Sequence, residues 1–440
     1  MRSRRGGAPR WRYANPNDDS EIGATMSDER PVAHTKTSPS LFTAEFFILL
    51  ATGTTLMLGM GAILAILPVY VVDELGGTEL TAGVVMGSSA VTALLSRFWF
   101  GRMSDRRGAR RLIALGGASS ALGMVLLVAF PTVSGAMVSR LVMGAGGAGF
   151  FIGSTLRAME LAPEDRRSQA AAFNLVAVHM GMGLGPMAGE WVLGRSDFAT
   201  VWWTIAALSV LSSSLSWGLS HRPGDPAAEP SPLVHRASIW PGVVTLFGIF
   251  GFNGFITFAA LYSDSIGMES VGPIFLVSSG TLIVTRVFFG RVPDIVGPVR
   301  VASGALVLTV FATVLLALWA SPLGLFVGAA LVALGLSLQS PSLMVVAVDG
   351  VSDRERGSAM ATYTAFFDLA NALVGPVMGL LVTWSGYRLA FLVAAGIAAV
   401  ALVLTRLVLA PPWYAAHPPD DGAAPGLTSP GLRWRLRPWI

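Results

Sequence analysis

Twelve apolar runs, each long enough to cross a bilayer, follow one another along the chain: 43–70, 81–101, 111–130, 133–155, 168–193, 200–219, 239–262, 271–290, 301–319, 323–347, 358–383 and 387–409. A helix rises 1.5 Å per residue, so about 20 residues span the roughly 30 Å of hydrocarbon. The pattern predicts an all-α integral membrane protein with twelve transmembrane helices. Pro131 and Thr132 mark a tight turn between the third and fourth spans.

Composition agrees with that reading. Asp, Glu, Lys and Arg make up 13% of 440 residues, against 53% hydrophobic, and mean hydropathy is +0.63. A soluble domain carries about 25% charged residues, so this chain cannot cover itself with a water-facing surface. The hydrophobicity excludes disorder for its bulk, and the lack of cysteine excludes a disulfide scaffold. Residues 1–40 and 411–440 are polar tails expected to be disordered; the first lacks the apolar core of a signal peptide, and Met26 is a second candidate start.

The net charge of +4 does not point to nucleic acid, because the arginines lie in gaps between apolar runs. Arg102, Arg106, Arg107, Arg110 and Arg111 follow span 2, Arg157, Arg166 and Arg167 span 4, and Arg222 and Arg236 span 6. Arg291 and Arg300 follow span 8, and Arg354 and Arg356 span 10, while the alternate loops hold Arg195 and Arg388. Cytoplasmic loops carry the excess of basic residues. The expected location is the inner (plasma) membrane, multi-pass, with both termini cytoplasmic.

The longest connection, 220–238, carries Pro223, Pro226, Pro230 and Pro232 and separates residues 41–219 from 239–410, two halves of six spans each. The halves repeat. Arg97, Gly101, Arg102, Asp105, Gly108 and Arg111 match Arg286, Gly290, Arg291, Asp294, Gly297 and Arg300, 189 residues on. Arg166, Ser168, Gly185, Pro186 and Gly189 match Arg356, Ser358, Gly375, Pro376 and Gly379, 190 residues on. Two pseudo-symmetric halves around a central path are a transporter plan.

The strongest motif runs from Gly101 through Asp105, Arg106 and Gly108 to Arg110 and Arg111. Gly101 permits close helix approach and Gly108 a tight turn. Asp105 can meet arginines or a helix N-terminus. Such a charged latch would hold one arrangement of the halves; the plain alternative is a basic membrane anchor. Gly290, Asp294, Gly297 and Arg300 form its second copy. Span 4 carries Arg140 before Gly144, Gly146, Gly147 and Gly149, and span 5 carries Gly181, Gly183, Gly185, Pro186 and Gly189 followed by Glu190.

These segments resemble motifs A, B and C of the major facilitator superfamily, over about residues 41–410. Ala109 interrupts motif A before its arginine pair, and Ile295 and Val296 replace the pair in the second copy. The resemblance implies that Arg140 takes part in proton transfer or coupling, and that the Gly181–Gly189 segment marks a drug/proton antiporter; Glu190 departs from that motif. Leu94 to Arg97, and Ala361 to Leu369 with Gly375 and Pro376, are similar to bacterial arabinose-efflux-like, drug-efflux-type permeases.

Ionisable groups inside spans are functional candidates because their burial is costly. Arg140, His179, Glu190 and Asp368 are the coupling candidates. Asp368 and Asn371, three apart, share a helix face; that carboxylate can serve a proton, a cationic substrate or a helix contact. Asn174, Asn253, Tyr363 and Asn371 are candidates for the substrate cavity, as are Tyr70, Tyr262 and Gln339, while Trp202 and Trp203 read as an interface belt. No catalytic set, metal cluster or ATP-binding loop is present in the sequence, so no cofactor is expected and the proton gradient is the expected driving force.

The expectation is a secondary active transporter, not an enzyme. It would exchange protons for a small organic molecule, drug-like or sugar, by alternating access. Proton-coupled uptake is the first alternative and a non-transporting membrane sensor the second. Its partners would be the small-molecule substrate, protons and the lipid bilayer, without nucleic acid, and the chain would act as a monomer.

Overall fold

The computed structural model describes residues 41–409 except 164–165, 221–233 and 353–354; the side chains of residues 98, 101–107 and 168 also lie outside the described set. The expected tails, and most of the expected linker, therefore fall outside it. Among the described residues regular structure is helical throughout. Helices α1 (Ala44–Asp73), α2 (Glu79–Arg107), α3 (Ala109–Ala129), α4 (Val133–Leu161), α5 (Arg167–Leu193) and α6 (Phe198–Leu215) come first. Then follow α7 (Ile239–Gly248), α8 (Phe250–Ser265), α9 (Gly272–Phe289), the short α10 (Val292–Val296), α11 (Pro298–Leu318), α12 (Pro322–Val348) and α13 (Arg356–Val408).

Eleven helical stretches among these are long and apolar enough to cross a membrane. The last, α13, has 53 residues and bends at Gly386, whose φ of 74° lies in the left-handed region. Dividing it there gives the twelve spans of the sequence pattern. α7 and α8 make one span, interrupted at Ile249. The break lies four residues before Asn253, which Gly251 and Gly254 flank.

Helix ends follow from local chemistry. Thr43, Thr132, Asp197 and Ser321 cap α1, α4, α6 and α12, each accepting a bond from the backbone N–H three residues on. Gly108 and Gly297, matched in the repeat, have φ of 79° and 100° and start α3 and α11. The two arginine-rich turns are thus built on the same glycine-dependent backbone.

Inside a bilayer apolar surface does not drive helices together, so small residues and hydrogen bonds must. In the first half α5 packs on α1, α3 on α4 and α6, and α2 on α4. In the second, α11 packs on α12 and α13, α7 on α13, and α9 on α12. Buried hydroxyls bond the preceding turn of their own helix, as Thr52 does to the Ile48 carbonyl and Ser209 to that of Ile205. The halves meet along α2 with α13, α5 with α9 and α1 with α8. At the α2–α13 seam, a Cβ added to Gly83 would overlap the carbonyl of Gly375, and one added to Gly375 that of Gly83. Only glycine at both places allows this approach.

Two expectations need correction. Trp202 is not an interface residue: it is 1% exposed and packs with Tyr70 and Phe198, because α6 turns that face toward α1, whereas Trp203 is exposed. Arg157 is not a loop charge either. It lies within α4, buried, and ion-pairs with Glu45 at the start of α1 and with Glu160, also donating to the Ser220 hydroxyl. Glu45 also accepts from the Ser220 amide at 2.7 Å, so one carboxylate ties the ends of three spans.

Candidate functional site

The interface between the halves gathers the polar side chains. Arg97 on α2 reaches Asp368 on α13 with both Nε and Nη2 at 2.6 Å from Oδ2. The side chains are 21% and 11% exposed. Each of these partly enclosed charges offsets part of the other's desolvation cost, and each comes from a different half. One turn further along α13, Asn371 accepts from Asn253 Nδ2 at 2.7 Å and donates to the Phe367 carbonyl at 3.0 Å. Asp368 and Asn371 share a face, as the spacing predicts, yet have different partners.

Arg140 is enclosed by its own half. It is 7% exposed and donates from Nη2 to Ser89 Oγ at 2.7 Å and to the Met86 carbonyl at 3.3 Å, both on α2 of the same half. Its Nε is buried without a partner. His179 on α5 bonds through Nδ1 to the Leu175 carbonyl at 2.8 Å.

Glu190 caps the other half. Its Oε2 accepts from Ser270 Oγ at 2.6 Å and from Gly272 N at 3.0 Å, and its Oε1 from Val271 N at 2.7 Å. The N-terminal amides of α9 carry the positive end of the helix dipole, which favours a carboxylate. The related seam has a neutral counterpart: Leu80 N, near the start of α2, donates to Thr383 Oγ1 of α13 at 3.1 Å, and that hydroxyl donates to Glu79 Oε2 at 3.3 Å. Both contacts lie at the arginine-poor end of the bundle.

The glycines of α5 have two jobs. Gly181, Gly185 and Gly189 lie against α1, where an added Cβ would meet Thr54, Leu58, Ala62 or Ile66. Gly183 faces Ser279 of α9. Pro186 stands inside α5 among them.

Gly101, Asp105 and Arg106 belong to the last turns of α2, which runs on through Arg107, and the side chains of Asp105 and Arg106 lie outside the described set. Arg110 donates to the Leu219 carbonyl at 3.1 Å and its guanidinium lies 4.6 Å from the Trp217 ring centre, both beyond α6 in the same half. Arg111, Gly290, Asp294 and Arg300 are exposed.

Tyr363 is buried beside α7, bonding the Ser340 carbonyl at 3.0 Å and accepting from Thr245 at 3.1 Å. Tyr262 donates to the Leu316 carbonyl at 2.7 Å. These tyrosines are occupied in packing. Asn174 and Gln339 are buried with side-chain atoms that lack a partner, Asn174 Oδ1 and both Gln339 atoms. Polar groups without partners inside a membrane protein are costly, a cost these two share with Ser120, Trp202 and Ser340 among others.

Arg97 and Arg286 are also charged groups deep within spans, beyond the four coupling candidates of the sequence. The signal was available, since they match one another across the 189-residue repeat and lie inside apolar runs.

A helical bundle in two related halves, with charges paired across the seam between them, is the architecture of a multi-pass membrane transporter. The Major Facilitator Superfamily model matches residues 49–292 and 269–439, and the chain belongs to that family. Among similar proteins are two named as uncharacterised MFS-type transporters. STM4428 of Salmonella typhimurium is 31% identical, with 80% of this chain and 93% of that protein covered. YhhS of Escherichia coli is 30% identical, with 81% and 91% covered. The fold is shared with the human organic anion transporter MFSD10 (TM-score 0.64, 18% identity, 83% of this chain and 100% of that chain). It is also shared with the nucleoside transporter NupG (TM-score 0.68, 16% identity, 82% and 98%).

Proposed function

We propose that this transporter couples proton movement to export of a small organic molecule by alternating access, with the arginine-rich end in the cytoplasm and the chain in the inner (plasma) membrane. The observation that carries the reading is the Arg97–Asp368 pair. It joins the halves through one titratable carboxylate. Protonating Asp368 removes its charge, weakens the bond and frees Arg97, so proton binding and the relative position of the halves are linked. Residues 41–219 would rock against 239–410.

Glu190 and Thr383 then serve as fasteners of the arginine-poor end, which open when the halves part there. The segment from Gly101 through Asp105 and Arg106 to Arg111, the end of α2 and the start of α3, would fasten the opposite end, with the second copy at Gly290–Arg300 in the same role. No ATP or other cofactor enters this cycle.

The test is accumulation of a candidate compound in cells, with and without a protonophore. Export predicts that collapse of the gradient raises the internal level, and Asp368→Asn should raise it to the same degree. A fall on collapse indicates uptake instead. Equal accumulation by wild-type and Asp368→Asn cells in both conditions removes the coupling role from this pair. Asp105→Asn should lower transport while leaving membrane insertion intact.

A further inference from the structure

Two arginines lie over exposed tryptophans, one at each end of the bundle. Arg195 holds its guanidinium 4.3 Å from the ring centre of Trp191 and donates to the carbonyl of that same residue at 3.1 Å, so both contacts are local. Arg110, in the first turn of α3, is instead held by the end of another helix. It bonds the Leu219 carbonyl at 3.1 Å and lies 4.6 Å from the ring centre of Trp217. Trp217 stands in the single 3-10 turn Ser216–Gly218 that follows α6, 63% exposed. A carbonyl and a ring face orient a guanidinium without neutralising it. The ion pairs among the described residues use Arg97 and Arg157, and neither Arg110 nor its neighbour Arg111 has a carboxylate there.

An apolar surface runs inward from these two charges. Arg111, Leu115 and Leu122 are exposed and share one face of α3, and Trp217 and Val210 are exposed on one face of α6. The helices run in opposite directions and touch closely. Ser213 Oγ donates to the Ala114 carbonyl at 3.0 Å, and a Cβ added to Gly117 would overlap the Ser209 carbonyl and the Ser213 backbone nitrogen. The two apolar faces therefore flank one tight contact, with both arginines and the indole at the same end of it. On a membrane-spanning helix such a face is covered by acyl chains, which are the solvent there.

We infer that the α3–α6 groove at the arginine-rich end binds an anionic phospholipid, its phosphate on Arg110 and Arg111 beside Trp217 and its acyl chains along Leu115, Leu122 and Val210. Arginine suits the head because its planar fork bonds a phosphate bidentately. An indole suits the same level, where its apolar body meets chains and its N–H meets headgroups. The Leu219 carbonyl and the Trp217 ring fix Arg110 before any lipid arrives, so little side-chain entropy is lost on binding.

Charge selects among lipids. A zwitterionic head brings its own ammonium toward two guanidinium groups that have no counter-ion, whereas an anionic head supplies the missing charge. The apolar faces select a lipid over a free phosphate, which would touch the head of the groove alone. Both helices belong to the first half, so a bound lipid joins the start of α3 to the end of α6 and stabilises that half by mass action. The site does not depend on the direction or coupling of transport and would stand even if Asp368→Asn transported normally.

The experiment measures thermal unfolding of the purified full chain in detergent against added phosphatidylglycerol. Phosphatidylcholine with the same acyl chains is the zwitterionic probe, and glycerol 3-phosphate is the head without chains. Phosphatidylglycerol should raise the unfolding temperature saturably and the other two should not. Arg110→Gln and Arg111→Gln should each raise its apparent Kd about fivefold, and the double variant about 25-fold. Arg111 is exposed, so Arg111→Gln keeps the fold and reports on the site even if Arg110→Gln loosens α3. Arg236→Gln removes an exposed arginine before α7, outside the groove, and should leave the Kd unchanged. Equal shifts from the two phospholipids, a wild-type Kd in both Arg111→Gln and the double variant, or an equal loss in Arg236→Gln overturns the assignment. Stabilisation by glycerol 3-phosphate equal to that by phosphatidylglycerol overturns the lipid as occupant.

Discussion

Arg97 and Asp368 are 271 residues apart in sequence, and both guanidinium nitrogens that face the carboxylate stand 2.6 Å from one oxygen. Each half contributes one charge to a place where neither is stable alone. Asp368→Ala should leave Arg97 uncompensated and destabilise the protein by roughly 3 kcal/mol. Combining Arg97→Gln with Asp368→Asn should recover most of that loss. Unfolding temperatures of the single and double variants measure the coupling, and additive losses would mean the two groups do not interact.

For proton coupling the informative variant is Asp368→Asn, which keeps shape and removes titration. It should abolish gradient-driven transport yet retain exchange of substrate across vesicles with no gradient. Loss of both activities would place Asp368 in substrate binding or folding instead.

Glu190 fastens α9 through three hydrogen bonds. Glu190→Ala should cost about 1–2 kcal/mol, as loss of a helix cap does, and should open the arginine-poor end more often. The chain contains no cysteine, so a Val271→Cys substitution, at a position 5% exposed, provides a clean reporter. Its reaction with an impermeant maleimide should quicken when Glu190→Ala is added. An unchanged rate would show that the cap does not control opening.

Gly297 has φ of 100° with open space around it, whereas helical Gly304 also has open space but no such φ. Gly297→Ala should destabilise by about 1–3 kcal/mol through backbone strain alone. Gly304→Ala should stabilise by about 0.5–1 kcal/mol through helix propensity. Opposite shifts in unfolding temperature are the expected result.

Asp197, just before α6, accepts from the Thr200 hydroxyl at 2.6 Å and amide at 2.9 Å, which holds its carboxyl below the usual range. A depressed folded value means the cap stabilises above the ordinary carboxylate pKa of about 4 and fades as pH falls through the folded value. The difference in unfolding temperature between wild type and Asp197→Ala should therefore be largest near neutrality and shrink in acid.

Spans, repeat and turn glycines were legible in the sequence because they depend on local quantities. Hydropathy over about 20 residues decides membrane crossing. Gly108 and Gly297 could be matched by counting, and their shared left-handed backbone follows from the same local requirement. The fold class needs nothing more than these.

Partners were not legible, because a helix states which residues share a face and not what that face meets. Arg157 reads as a loop charge until α4 is seen to carry it inward to Glu45. Glu190 reads as a departure from a glycine motif until α9 brings its amides alongside. Trp202 and Trp203 are neighbours in sequence, and only the packing of α6 on α1 sends one inward and the other out. The chain by itself determined that charges would be few, where spans begin and that the halves repeat. The tertiary structure alone decided which charge each carboxylate answers, since that depends on helix rotation and approach, and it left Arg286 without the partner that Arg97 has.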